Sequence, residues 1–208
     1  ERGVYSFCMC PGGFIVPAAT APGEVVVNGM SPSKRNNLYA NSGIVVEINV
    51  DQDIYKYEKF GPLKGLEYQK NLERLAFTSG GRTQTAPAQR LTDFVDGKLS
   101  SDLNPTSYQP GLNSAPLHSL LPKLIGSRLR QGFKSFGEKM NGYLTSEANI
   151  VGVESRTSSP VSIPRNEQLE HPVVKGLFPC GEGGGYAGGI VSAAMDGERC
   201  AEAAIRGF

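Results

Sequence analysis

The sequence predicts an α+β chain: an antiparallel sheet or partial barrel, interrupted by a small helical insertion and followed by a terminal strand, glycine loop and helix. Three observations predict it. The first fifty residues break into short β-favouring runs, apolar residues then recur at helical spacing between Leu66 and Phe136, and the end of the chain runs from Gly176-Leu-Phe-Pro-Cys-Gly-Glu182 through Gly183-Gly-Gly-Tyr-Ala-Gly-Gly189 into a helix of small residues.

Taken in order, Val4–Cys10, Phe14–Ala18, Glu24–Asn28 and Gly43–Val50 read as strands. They are separated by Pro11-Gly12-Gly13, by Pro22-Gly23 and by the polar stretch Ser31–Asn41, and tight breaks between short runs favour antiparallel pairing. From Leu66 to Phe77 the residues Tyr68, Leu72, Leu75 and Ala76 share a helical face, and Gly80-Gly81 stops the run. Residues 96–116, rich in Ser, Asn, Pro and Gly, read as a long connection. Leu117–Leu121 and Ile125–Phe136 give one or two further helices, interrupted by Pro122 and Gly126. Asn149–Val153 and Pro160–Ile163 return to strand.

The last helix has the clearest pattern. Ile190, Ala193, Ala194, Gly197, Ala201, Ala204 and Ile205 form one narrow, small-residue face suited to close packing, with Ser192, Asp196, Arg199, Glu202 and Arg206 opposite and Gly207 as a C-terminal stop. Five glycines in the seven residues before it let backbone N–H groups approach a ligand, and a helix N-terminus aimed at the same place favours negative charge.

Composition fits a folded chain of one domain, or a domain plus a subdomain: 208 residues, 39% hydrophobic and 20% charged. A formal net charge of +1 with scattered Lys and Arg gives no basis for nucleic-acid or membrane attraction, and the densest basic cluster, Lys123, Arg128, Arg130 and Lys134, reads as a solvated helix face. No apolar run has the roughly 20 residues of a membrane span, and no signal peptide is visible. Of the four cysteines, Cys8 and Cys10 share one face of an extended strand, an awkward geometry for a mutual disulfide, and no paired knuckles suggest zinc. Cys200 lies at the edge of the last helix's buried face. Inert structural thiols, a redox role and a metal site all remain open, and free thiols fit the cytoplasm best.

Gly183, Gly185 and Gly188 match the GxGxxG pattern, but a dinucleotide fingerprint opens a βαβ unit with a second strand and a ribose-binding acid to follow, and only one helix follows here. Phe178-Pro-Cys-Gly-Glu-Gly-Gly-Gly-Tyr-Ala-Gly-Gly-Ile-Val-Ser-Ala-Ala194 instead resembles the closing segment of the bacterial FAD-utilising dehydrogenases, of the two-dinucleotide flavoprotein type. Gly3-Val-Tyr-Ser-Phe-Cys-Met-Cys-Pro-Gly-Gly13, Asn28-Gly-Met-Ser31 with Asn41-Ser42, Ala86-Pro-Ala-Gln-Arg90 and Glu154-Ser-Arg-Thr-Ser-Ser-Pro160 carry the same resemblance. The family's Gly-rich fingerprint for the ADP half of FAD is absent, and the sequence opens at Glu1 directly in a strand, so it reads as the C-terminal fragment of a longer protein.

The resemblance implies a substrate-side, strand-rich segment over 1–60, a helical insertion with a long loop over 61–148, and return strands over 149–208 ending in a strand-loop-helix of an incomplete FAD-binding domain. It implies FAD in the longer protein, little or none bound to this chain alone, and hydride transfer between flavin and a small-molecule substrate or NAD(P)H. Gly181, Glu182, Gly183, Gly184, Gly185, Tyr186, Ala187, Gly188, Gly189 and Ile190 would contact the cofactor: Glu182 accepting from the ribityl hydroxyls, and the amides of Gly188, Gly189 and Ile190 facing the flavin N1 and O2 edge, where a helix N-terminus stabilises charge by about 0.3–2 kcal/mol. Cys8 and Cys10, at the Pro-Gly-Gly turn, and Arg156 are the catalytic candidates. Arg90 and Arg156 could hold an anionic group or form structural ion pairs. His118 and His171 read as surface or helix-end residues. The implied partner is the N-terminal nucleotide-binding domain of the same chain, and without it an apolar patch would promote self-association. Two other readings stand beside this one: a binding or assembly module whose Gly loop serves close packing, and a thiol redox protein using Cys8 and Cys10, which requires a low thiol pKa.

Overall fold

The computed structural model describes residues 3–206 and divides the chain into two compact units. One is formed by the chain through Asn49 together with Lys70–Ser155, the other by Val50–Gln69 and the chain from Arg156 onward. The architecture is α+β, with small sheets and no closed barrel among the described residues.

In the first unit, β1 (Val4–Cys10) pairs antiparallel with β4 (Asn41–Val46), and β2 (Phe14–Pro17) pairs antiparallel with β3 (Val27–Met30). β3 starts three residues later than expected. Glu24, Val25 and Val26 are buried but hydrogen-bond outside a ladder: Val25 N–H donates to the Glu73 carbonyl at 3.1 Å, and the Val26 carbonyl accepts from Ala18 N–H at 2.8 Å. Helix α1 (Lys64–Ser79) begins in the second unit and ends in the first, and stops at Gly80, whose N–H reaches the Ala76 carbonyl.

Of the third sheet only one strand was expected from the sequence, the return strand at Asn149–Val153, which pairs over Asn149–Val151. β5 (Ala86–Arg90) lies between β6 (Leu112–Ser114), which pairs with it in parallel, and β7 (Asn149–Val151), which pairs antiparallel. A proline argues against a central strand because it cannot donate to a ladder. Pro87 is tolerated because Ala86 and Ala88 make the bonds on the β6 side, Ala86 N–H to the Gly111 carbonyl and the Ala88 carbonyl to Ala115 N–H, while the register with β7 begins only at Ala88. Residues 96–116 are therefore not wholly a connection, since β6 lies within them and Tyr108 is buried, its hydroxyl donating to the Gln84 carbonyl at 2.7 Å.

Helices α2 (Leu91–Asp96), α3 (Leu117–Leu120) and α4 (Lys123–Lys139) close the larger core. Leu91, Phe94, Val95, Leu117, Leu129 and Phe133 meet there, with the Phe94 and Phe133 rings edge to face at 5.9 Å. Such a pair adds about 0.5–1.5 kcal/mol beyond its area burial. Pro122 caps α4 rather than interrupting it, and Gly126 is a close-approach site, since a methyl there would lie 3.2 Å from the His118 carbonyl. The basic cluster sits on α4, where Arg130 donates to the Val95 carbonyl at 2.8 Å and so satisfies the end of α2.

The second unit contains a 3₁₀ segment, Tyr55–Leu63, broken at Gly61, and the last helix α5 (Ile190–Arg206). Pro160–Ile163 and Leu177–Cys180 join no ladder, so the expected return strand and terminal strand are irregular here; a strand exists only with a partner to receive its backbone bonds. Gly207, the expected stop, lies outside the described residues.

Candidate functional site

The glycine loop is folded on itself before it meets α5. Gly184 N–H donates to the Cys180 carbonyl (3.3 Å), Gly185 N–H to Glu182 (2.9 Å) and Tyr186 N–H to Gly181 (3.0 Å). Gly181 and Gly185 require glycine through their backbones, with φ of +66° and +83°, and a methyl at Gly185 would also sit 2.7 Å from the Val161 carbonyl. At Gly184 a methyl would sit 3.0 Å from Cys180 backbone atoms. Gly183 and Gly188 are different: a methyl at either meets nothing within 4 Å, and neither has a positive φ. Packing and conformation thus explain part of the loop and leave its outer face unexplained.

Arg165 and Asp196 hold the inner face. Arg165 Nη2 donates to Asp196 Oδ1 at 2.8 Å and Nη1 to Oδ2 at 2.9 Å, while Gly181 N–H donates to the same Oδ2 at 2.9 Å. Arg165 Nη1 also reaches the Pro179 carbonyl at 2.9 Å, and the guanidinium stacks 3.6 Å from the centre of the Tyr186 ring, whose hydroxyl donates to the Ile163 carbonyl at 2.8 Å. The Arg165 hydrogen bonds, then the Gly181 amide, hold the Asp196 carboxyl down to about 2. This corrects the expected helix face. Asp196 and Cys200 are the buried residues of α5, while Ile190, Val191, Met195 and Ile205 are exposed, because a bidentate partner and a backbone amide satisfy the buried carboxylate. Sequence reasoning missed Arg165 altogether; the available signal was a single acid set among small residues one turn from a cysteine.

Glu182 is exposed at the tip of the loop, and its carboxylate makes no hydrogen bond with the described residues. Of the three amides singled out, that of Gly189 donates to Ser192 Oγ at 3.1 Å, which in turn donates to the Gly189 carbonyl at 3.0 Å. The amides of Ile190 and Val191 lie in the first turn of α5, where no intrahelical carbonyl can reach them. Tyr186 and Ala187 are half-buried.

In the first unit, Pro11-Gly12 forms the tight turn expected. Gly13 N–H donates to the Cys10 carbonyl at 3.1 Å, with Pro11 and a positive-φ Gly12 at the central positions, which is the signature of a type II turn. Asn37 clamps it, its Nδ2 donating to the Gly13 carbonyl at 2.8 Å. The cysteines before the turn do not lie in a regular strand: the β1–β4 register shifts between Phe7 and Cys10, Cys8 has φ +49°, and the Cys10 thiol donates to the Cys8 carbonyl at 3.2 Å. Burial, then Glu154 and Cys10, push the Cys8 thiol up, which runs against its use as a nucleophilic thiolate. Burial also pushes the half-buried Glu154 carboxyl up, where it covers the face of Gly43, 2.5 Å from a methyl built there. Beside Cys10 and Gly29, the Asn41 Nδ2 is buried with no hydrogen-bond partner among the described residues.

Arg90 serves the fold, donating to Asp102 Oδ1 at 2.9 Å and to the Ser146 carbonyl at 2.9 Å. Arg156 is half-buried at the start of the second unit's later segment. His118, the second residue of α3, is bonded to the buried Gln89 through Nδ1 at 2.8 Å and through its own N–H at 3.2 Å. His171 Nδ1 accepts from the amides of Val173 and Val174, closing a turn. The Gly181–Ile190 candidates lie together in the second unit with Arg156, and Cys8 and Cys10 lie together in the first. Among the described residues, no three His, Cys, Asp or Glu side chains gather to hold a metal ion, and no helix is long and apolar enough to cross a membrane.

Comparison with known proteins gives two findings. A protein of Clostridium beijerinckii, itself described only as uncharacterized, is 43% identical over 210 residues; the alignment takes in the whole of this chain, glycine loop included, and 39% of that relative's length. Residues 1–157 match the family model described as FAD-dependent protein, C-terminal domain-like, and with three quarters of its length so matched the chain belongs to that family.

Proposed function

We propose that this chain supplies the isoalloxazine and ribityl contacts, and part of the substrate cavity, of an FAD-dependent oxidoreductase. The observation that carries the reading is the outer face of the glycine loop. Gly183 and Gly188 are glycines with no packing or conformational reason to be so, next to a carboxylate without a partner among the described residues and a helix N-terminus with open amides. These residues fit a flavin: Glu182 would accept from ribityl hydroxyls, and the first-turn amides of α5 would face the ring edge that becomes negative on reduction. When bound, the flavin supplies the hydride chemistry. The chain's own work is to hold and orient: Arg165 and Asp196 fix Gly181 and so place Glu182, and the α5 N-terminus biases the local potential.

The exposed apolar side of α5, with Ile190, Val191, Met195 and Ile205, supports the same reading. Since the chain spans 39% of the aligned relative's length, a nucleotide-binding domain elsewhere in the longer protein is the proposed cover for that face and the proposed source of the pyrophosphate and adenosine contacts. The substrate is a small molecule, with NAD(P)H as a second hydride partner.

The test is the absorbance spectrum of the full-length protein as purified, beside that of Glu182→Ala. Flavin bands present in the wild type and weakened in the variant support the proposal. A colourless protein that takes up no added FAD would discard it and leave the assembly-module reading.

A further inference from the structure

We propose that Cys180 and Cys200 form a peroxide-responsive disulfide site that ties the base of the glycine loop to helix α5. The contacts of the two flanking residues set the geometry. The Pro179 carbonyl accepts from the Cys200 thiol at 3.8 Å, and Gly181 N–H donates to Asp196 Oδ2 at 2.9 Å. Residues 196 and 200 are one helical turn apart on the buried side of α5, so Cys180, between those two anchors, lies over the turn that carries Cys200. Burial first, then Asp196 and the neighbouring Cys180, push the Cys200 thiol up, while the Arg165 charge draws it down.

The two thiols divide the chemistry. Cys180 is exposed and meets the oxidant first; Cys200 is buried and waits beneath it. Arg165 Nη1, 3.3 Å from Cys200 Sγ, is placed to stabilise that sulfur as it becomes a thiolate, against the effect of burial. A hydroperoxide converts the Cys180 thiol to a sulfenic acid: an S–O bond forms, the O–O bond breaks, and water or an alcohol leaves. Cys200 sulfur then attacks the Cys180 sulfur, the S–O bond breaks, and the departing hydroxide takes up the Cys200 proton and leaves as water. Two electrons and two protons pass from the dithiol to the peroxide, and a thiol reductant reverses the change. Cys8 and Cys10 lack this arrangement, because the Cys10 thiol is turned back onto the Cys8 carbonyl.

The consequence falls on the loop. A bond at residue 180 would fix the backbone two residues before Glu182, independently of whether that carboxylate holds a flavin.

The experiment needs only the 208-residue chain. It is treated with hydrogen peroxide in small excess, remaining thiols are alkylated, and the non-reduced digest is mapped by mass spectrometry. The expected result is one dominant cross-linked peptide joining Cys180 to Cys200, a fall from four titratable thiols to two, and recovery of all four with dithiothreitol. Cys200→Ser should leave a dimedone-reactive sulfenic acid at Cys180, and Cys180→Ser should leave Cys200 unoxidised. Oxidation of Cys8 or Cys10 in preference, or overoxidation of Cys180 without a cross-link to Cys200, would overturn the proposal. Neither outcome touches the flavin assignment, which is read from colour.

Discussion

Arg165 and Asp196 meet in two near-parallel hydrogen bonds of 2.8 and 2.9 Å, with both side chains nearly removed from water. A buried carboxylate with such a partner is stabilised as the anion, and its depressed pKa links folding to pH. Asp196 is held at about 2, from an ordinary value of 3.8, so the contribution is fully present above the ordinary value and is lost as pH falls through about 2. Its size is about 2 kcal/mol, because each tenfold change in proton affinity is worth about 1.4 kcal/mol. Asp196→Asn should cost about 3 kcal/mol at pH 7, because it leaves the Arg165 charge unpaired. Urea unfolding at pH 7 and at pH 2 checks this: the gap between variant and wild type should narrow at the lower pH, and a gap unchanged with pH would contradict it.

The loop glycines should divide into two groups on substitution. Gly185→Ala meets both an unfavourable φ and the Val161 carbonyl, and should cost about 1–3 kcal/mol in thermal unfolding. Gly183→Ala and Gly188→Ala should leave the melting temperature within a degree or so, yet weaken FAD retention by the full-length protein severalfold. If both latter variants kept the cofactor as tightly as wild type, the open face of the loop would not be a flavin cradle.

At the other glycine turn, Gly12→Ala should be more damaging than its size suggests. The residue has φ +59°, and a methyl there collides with the Arg35 carbonyl on the loop that clamps the turn. A cost of about 2 kcal/mol or more is expected. Amide exchange should locate the damage at Gly13 and Asn37, whose N–H groups are held by Cys10 and Gly12 carbonyls, before the α4 core is affected.

Alone, the 208-residue chain should bind FAD weakly and self-associate through α5. Ile190 is 92% and Ile205 76% exposed, with Val191 and Met195 also in solvent. Sedimentation velocity should show a concentration-dependent dimer that Met195→Lys with Ile205→Lys abolishes. A stoichiometric yellow complex of the chain with FAD would contradict the first half of this expectation, and a monomer at all concentrations the second.

Much of this was legible in the sequence where one physical signal dominated. Short runs with Pro-Gly breaks gave the four N-terminal strands and their antiparallel pairing, and 3.6-residue periodicity gave α1, α4 and α5. What escaped depended on distant partners. β5 hides a proline where no ladder needs its nitrogen, and β6 is three residues long and exists only beside β5. On α5, hydropathy put Asp196 in water because nothing local reveals Arg165, thirty-one residues earlier in the chain. At the candidate site, the loop's composition made Glu182 and its glycines candidates, but only the folded loop separates the glycines the backbone demands from those it does not.

The family match ends at residue 157, close to where the first compact unit ends, and that invites truncation there. The second unit, however, is assembled from two separated stretches, and Gly65 of the earlier one sits so close to Pro160 of the later that a methyl would lie 2.6 Å from its carbonyl oxygen. A chain shortened to 157 residues would therefore retain Val50–Gln69 stripped of the segment it folds against. The exposed apolar stretch around Tyr55, Phe60 and Leu63 would become a protease-sensitive, aggregation-prone insert, so a boundary drawn from the family match would be the wrong place to cut the gene.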